Sequence, residues 1–407
     1  MTERWIAHGI SMLEEEFGAN AVRRAVDAVA RFELEVPSWA FGPFGGGRFG
    51  GYTPPAGART IEEKLDDAAM VHSLTGATPR VASHVLWDFS KDGVEPDFEL
   101  ARKAKQAAVS RGIDLGAVNP TYFLAGSYRG SFAAPEKHTR DRYVRQTVFA
   151  SRVAAELGNR LVTLWFPDGS AYPGQIELQD AYLRMKESLA QAVSASPAQV
   201  SFLIEYKVFE PGTYSTTIPD WGAAFALARG AGKNCGVLID LGHHHHGTNI
   251  EQIVAMLIAE GIPAGFHFNT RYAADDDHAV EPNQEMARIF RELVKGGVVA
   301  NADAKRNWAY MIDQCSGREN RIHAVLHSVD SLMVSLARGC LVEESVLADL
   351  QNRDEVILAN RCLNRALLHA DVRPIVARAR LEKGLPADPV AAYAASGYQQ
   401  KIEAARK

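Results

Sequence analysis

The chain has 407 residues, 47% hydrophobic and 23% charged, so it can bury a full core and is not compositionally disordered. Its net charge of −5 provides no general basic field, which weighs against nucleic acid as a partner. No window approaches the roughly eighteen apolar residues of a membrane span, and the opening "MTERWIAHGISMLEEEFG" is amphipathic and lacks the pattern of a signal peptide.

Read in chain order, short apolar runs alternate with longer helix-periodic segments. Strands are expected at 33–41 ("ELEVPSWAF"), 80–88 ("RVASHVLWD") and 113–120 ("IDLGAVNP"), then at 160–169 ("RLVTLWFPDG") and 199–207 ("QVSFLIEYK"). Three more follow at 235–242 ("CGVLIDLG"), 264–271 ("AGFHFNTR") and 308–315 ("WAYMIDQC"). Helical patterns such as "TIEEKLDDAAMVHSL" and "DFELARKAKQAAVSRG" lie between them. Eight β-α alternations predict an α/β protein whose parallel sheet closes into a (β/α)8 TIM barrel. An open doubly wound sheet fits less well. The glycines of "FGPFGGGRFGGYTPPAG" do not form a dinucleotide fingerprint between a strand and a helix. That stretch reads as a surface loop with Phe44 and Phe49 at its tips, either a plain connection or a lid. From 319 onward the pattern is purely helical. Residues 1–318 are therefore expected to form the barrel, with an N-terminal helix and the glycine-rich loop. Residues 319–407 are expected to supply the last barrel helix and a C-terminal helical extension, packed on the barrel or on a neighbouring subunit. Cys235, Cys315, Cys340 and Cys362 show no paired spacing and suit a reducing compartment, so a cytoplasmic location is expected.

Barrel chemistry sits at the C-terminal ends of strands. There the sequence places His84, Trp87 and Asp88, then Asn119, Trp165, Glu205 with Lys207, Asp240, His267 with Asn269, and Asp313. Charges that end apolar runs are costly to bury alone. A central cation would satisfy Glu205, Asp240, His267 and Asp313 together. Three carboxylates and one imidazole suit Mn2+, Mg2+ or Co2+ better than a thiolate-seeking zinc site. A second ion, sharing Glu205, could be held by His243, Asp275 and Asp277. His244, His245 and His246 read as solvated loop residues. Lys207 has a competing reading as a structural partner of Glu205.

"IEYKVFEPGTYSTTIPDWG", "IDLGHHHHGTNIEQIVAML", "GFHFNTRYAADDD" and "MIDQC" resemble the metal-site segments of the bacterial, broad-specificity L-rhamnose isomerases, in the xylose-isomerase-like barrel superfamily. The tail "GLPADPVAAYAASGY" is similar too. The resemblance implies an aldose–ketose isomerase that uses two divalent ions, typically Mn2+, with Co2+, Mg2+ or Zn2+ as alternatives. It implies that Glu205, Asp240, His267 and Asp313 hold one ion, and that His243 and Asp275 hold the other with Asp277 close by. Lys207 would touch the substrate oxygen near the reacting carbons, and His84 would bond the sugar and assist ring opening. Lys207, His84 and Asp313 form the implied catalytic set. Trp87, Trp165 and Phe123 would be apolar walls, and Phe49 would close a neighbouring subunit's site in a homotetramer. Leu241, where a small polar residue is expected, and the long histidine run depart from the family.

Hydrogen would move between C1 and C2 of an open-chain sugar, most simply L-rhamnose to L-rhamnulose, as a hydride or through an enediol. L-Mannose, L-lyxose and D-allose are further candidate sugars. Three other readings compete. A ketose 3-epimerase would use a related site with one metal and two acid/base glutamates, whereas Asp313 and Lys207 depart from that set. A metal-dependent DNA-repair endonuclease would need a basic face. A catalytically dead binding protein would keep the ligands and lose turnover.

Overall fold

Runs of Val, Ile, Leu and Phe that are buried on both faces form strands only where helices cover the outside and other strands fill the inside. The computed structural model describes residues 1–42, 56–210, 215–271, 278–299, 308–315 and 318–406. The sequence enters through helices α1 (Glu3–Phe17) and α2 (Ala19–Arg31). The barrel then alternates β1 (Glu35–Pro37), α3 (Ile61–Thr75), β2 (Arg80–His84), the one-turn α4 (Val85–Asp88), α5 (Phe98–Ser110) and β3 (Asp114–Asn119). It continues with α6 (Lys137–Leu157), β4 (Leu161–Trp165), α7 (Leu178–Ser194), β5 (Ser201–Glu205) and α8 (Trp221–Ala231). β6 (Cys235–Asp240), α9 (Ile250–Glu260), β7 (Ala264–Phe268), α10 (Gln284–Lys295), β8 (Trp308–Ile312) and α11 (Arg321–Cys340) complete it.

All neighbouring strands are parallel, in sequential order, and β1 pairs with β8 through Glu35 and Met311 to close the barrel. The expected (β/α)8 TIM barrel is the fold. Two strand expectations need correction. The run 80–88 is a strand only to His84, because the Asp88 carboxylate turns back to accept the His84 N–H at 2.8 Å and closes a helical turn over Val85–Asp88. The first run pairs over three residues only, then tightens into a 3-10 turn at Ser38–Ala40.

Two apolar cores result. The larger lies between strands and helices, and a smaller one fills the barrel with Ala82, Ala117, Leu203, Leu238 and Met311. At the amino-terminal floor, Glu35 accepts the Ala117 N–H at 2.7 Å and pairs with Arg80 at 3.3 Å. Gly116 is required beside it, since a Cβ there would lie 2.2 Å from Glu35 Oε2. Helix starts follow capping chemistry; Asn249, for instance, accepts the Gln252 N–H and opens α9.

The helical C-terminal region adds α12 (Glu344–Asn352), α13 (Val356–Asn364), α14 (Arg373–Leu381), α15 (Pro389–Ala395) and α16 (Tyr398–Ala405). It packs on the barrel: α14 lies against α1 and α2, and Lys383 donates to the Gly76 and Ala30 carbonyls. Beyond α16, Arg406 reaches into α3. Its guanidinium makes two bonds to the Asp67 carboxylate, at 2.7 and 2.9 Å, and Tyr398 donates to the same group at 2.8 Å. Both charged side chains are under 5% exposed. No single helix among the described residues is long and apolar enough to cross a membrane.

Removing one member of a buried ion pair leaves its partner uncompensated. Asp67→Asn is expected to lower the unfolding free energy by about 3 kcal/mol, and adding Arg406→Met to recover much of that loss. Denaturant midpoints of the two variants against the parent protein check this. Equal midpoints for all three would show that this ion pair contributes no stability.

Candidate metal centre

Strand register decides which side chains meet. Asp240 pairs with His267 across β6 and β7, Glu205 stands level with Trp165 across β4 and β5, and the Asp313 N–H bonds the Phe268 carbonyl at 2.9 Å. Glu205, Asp240, His267 and Asp313 therefore converge, and each offers a donor atom within 4.8 Å of the others. Opposite ligands of an ion with bonds of about 2.1–2.4 Å stand about 4–5 Å apart, so one divalent cation fits between them.

His267 Nδ1 lies 3.2 Å from Glu205 Oε2, 3.4 Å from Asp313 Oδ2 and 4.0 Å from Asp240 Oδ2. Yet neither His267 Nδ1 nor Glu205 Oε2 makes a hydrogen bond among the described residues. Two buried polar atoms this close without good hydrogen-bond geometry face a common point, where a bound cation would take the place of the proton the imidazole otherwise holds. Burial pulls the His267 imidazole down, but the carboxylates of Glu205 and Asp313 outweigh it and push the ring up to about 9. The cluster attracts positive charge, and its oxygen-rich donor set with one imidazole fits a divalent cation.

Two of the four side chains, Asp240 and Asp313, are braced from behind. Asp240 Oδ1 accepts from the Gly242 N–H at 2.8 Å and the Asn269 amide at 2.9 Å, while Asp313 Oδ1 accepts from the Trp39 indole at 2.6 Å. His243 lies beside the cluster. Its Nδ1 is 2.9 Å from the Tyr206 carbonyl, to which it donates, and 3.2 Å from Glu205 Oε1. Asp275, Asp277 and Phe49 lie outside the described residues.

The histidine run divides in two. His245 and His246 are exposed, as a polar loop requires. The expectation of a solvated His244 is corrected: it is buried, and its Nε2 bonds the Tyr206 hydroxyl at 2.6 Å. Burial lowers its imidazole to about 3, so it stays neutral.

Aromatic rings line one side of the mouth. His84 stacks on Trp87 at 3.8 Å, Trp39 meets Trp87 edge-on at 6.1 Å, and Phe123 bridges Trp87 to Trp165 at 6.0 and 5.3 Å. Lys207 Nζ stands 5.8 Å from the Trp165 ring. Lys207 is buried and pairs with Glu210 at 3.0 Å. His84 bonds Thr121 Oγ1 through Nδ1 at 2.8 Å, and burial lowers its ring to about 3. The structure thus groups His84, Trp87, Phe123, Trp165 and Lys207 beside the cluster. Sequence reading missed Trp39, Glu210 and Thr121. Trp39 lies inside the run "ELEVPSWAF", and its place two residues after β1 shows only in the fold, where the strand ends at Pro37.

The family described as xylose isomerase-like TIM barrel matches residues 75–299. The chain belongs to this family. A probable sugar isomerase of Rhizobium meliloti (strain 1021) is 34% identical over 409 residues, covering 96% of this chain and 92% of that protein. An L-rhamnose isomerase of Bacteroides thetaiotaomicron is 24% identical over 333 residues, 77% of each chain. Among solved structures, an L-ribulose 3-epimerase superposes with a TM-score of 0.55 at 12% identity, covering 77% of this chain and 98% of that one; this likeness concerns the fold.

Groups that orient a metal ligand from behind typically contribute ten- to hundredfold in affinity. Asn269→Leu keeps the volume and removes the donor to Asp240. It is expected to weaken divalent-metal binding about tenfold or more, read by chelator competition, with the unfolding midpoint nearly unchanged. Unaltered affinity would remove Asn269 from the site.

Proposed function

We propose that the protein is a metal-dependent aldose–ketose isomerase, with L-rhamnose and L-rhamnulose as its leading substrate pair. The observation that carries this reading is the convergence of Glu205, Asp240, His267 and Asp313 at the carboxyl ends of four consecutive strands, beside a wall of aromatic rings. A 34% identical relative named as a probable sugar isomerase, and an L-rhamnose isomerase at 24%, support the reaction class and the sugar respectively.

On this reading Glu205, Asp240, His267 and Asp313 hold one divalent ion. His243 and Glu205, with Asp275 and Asp277, would hold a second. Mn2+ suits the oxygen-rich donors best, with Co2+, Mg2+ and Zn2+ as alternatives. When bound, the ions supply Lewis-acid polarisation of adjacent sugar oxygens. The chain's own residues do the rest. Trp39, Trp87, Phe123 and Trp165 cover the apolar side of the open-chain sugar and exclude water. Lys207, oriented by Glu210 and the Trp165 face, sets a positive charge against the oxygen at C1 or C2. The neutral His84 bonds a sugar hydroxyl and helps open the ring, while Thr121 fixes its orientation. Asp313, tied to the Trp39 indole, is held toward the cluster and cannot swing away without losing that bond. The resemblance extends the reading to a cytoplasmic homotetramer in rhamnose metabolism, with Phe49 covering a neighbour's site.

The test is direct. Protein stripped with a chelator and resupplied with Mn2+, Co2+ or Zn2+ is offered L-rhamnose, L-mannose, L-lyxose and D-allose, and ketose is measured. Metal-dependent ketose formation is expected, with L-rhamnose fastest. Asp240→Asn is expected to lose at least a hundredfold in kcat/KM, which corresponds to about 3 kcal/mol. Inversion at C3 of a ketose, with no aldose–ketose exchange, would instead indicate an epimerase.

A further inference from the structure

Behind the aromatic wall lies a charged pair to which the reaction assigns no part. The Asp88 carboxylate is fully buried and collects donors from three separate elements. Its Oδ1 accepts from Lys64 Nζ of α3 at 2.6 Å. Its Oδ2 accepts from Ser38 Oγ, in the turn after β1, at 2.6 Å, and from the His84 N–H, at the end of β2, at 2.8 Å. The side chains of Lys64 and Asp88 are 9% and 0% exposed, so both charges have left water at considerable cost. A buried ion pair of this kind is weak as a source of stability and well suited to fixing one geometry.

What it fixes are two site residues. Trp39 follows Ser38 directly, and its indole holds Asp313 Oδ1. His84, gripped by its own N–H, stacks on Trp87 from the same helical turn that Asp88 ends. Beyond the ladder that spaces β1 and β2, one carboxylate therefore ties the turn after β1 to the end of β2. The residues it ties carry the 6.1 Å edge contact of Trp39 and Trp87 and the 6.4 Å contact of Trp39 and His84.

We propose that Asp88, neutralised by Lys64 and anchored by Ser38, is a positioning residue that holds the Trp39–Trp87–His84 wall in the shape that receives the apolar face of the sugar. It touches neither sugar nor metal and acts through its neighbours. The inference rests on the isomerase reading above.

Ser38→Ala removes one anchor and leaves the ion pair intact, so the variant is expected to fold. Its aldose KM is expected to rise at least fivefold with kcat changed less than twofold. The near-ultraviolet circular dichroism of the protein before metal is added is expected to change, because the tryptophan edge contact loosens. Ser38→Thr, which restores the hydroxyl, is expected to recover most of the KM. Asp88→Asn combined with Lys64→Met, a neutral pair, is expected to raise KM further, to tenfold or more. An unchanged KM and spectrum in Ser38→Ala, in a parent protein that turns over sugar, would overturn this inference alone. So would a loss confined to kcat and thermal midpoint, the mark of a merely structural role. Absence of turnover by the parent protein with every metal and sugar would overturn the isomerase reading and this inference with it.

Discussion

Three carboxylates brought to one point inside a closed barrel repel one another, and that repulsion governs the design of the carboxyl-terminal face. At about 4 Å and an effective dielectric near 20, each pair of like charges costs about 4 kcal/mol. Three such pairs would rival the whole net stability of a typical domain, about 5–15 kcal/mol. Glu205, Asp240 and Asp313 cannot move apart, because β5, β6 and β8 are locked into the barrel by register. Positive charge must be drawn in. The raised basicity of His267 is one sign of this field, and the convergence of its Nδ1 with Glu205 Oε2 is another. A divalent cation answers the same demand more fully than a proton does.

The surrounding residues follow from that demand. Carboxylates that must point inward need donors at their backs, which Trp39, Asn269 and the Gly242 amide supply. Their region must be dry enough for these interactions to count, and the ring sequence from Trp39 through Trp87 and Phe123 to Trp165 provides one dry side. Lys207 brings a cation to the rim of the acidic centre without entering it, since Glu210 and the Trp165 face hold it there. A polar metal centre against an apolar wall matches a sugar, whose hydroxyls can meet cations while its carbon-bound hydrogens lie on rings.

Much of this was legible in the sequence for a simple reason. Strands buried on both faces are apolar throughout, so charges at their ends stand out, and all eight runs correspond to strands. Four of those end residues, taken from consecutive strands, are the ones the structure gathers. The reading lost resolution where side chains rather than periodicity set the backbone. Asp88 folds the tail of the second run into a helical turn, and a three-residue β1 leads straight into the turn that carries Trp39. His244 looked like loop polarity because nothing local shows that the Tyr206 hydroxyl waits beneath it. The pairing of Lys207 with Glu210, three residues further on in the loop after β5, had no periodic signal to announce it.

The central claim is that four consecutive strand ends share one cation. Diffraction from crystals grown with Mn2+, recorded across the manganese absorption edge, tests it most directly. The account predicts an anomalous peak within about 2.0–2.4 Å of donor atoms from Glu205, Asp240, His267 and Asp313 together. A saturating ion found elsewhere, or one that leaves two or more of these four side chains beyond bonding distance, would contradict it.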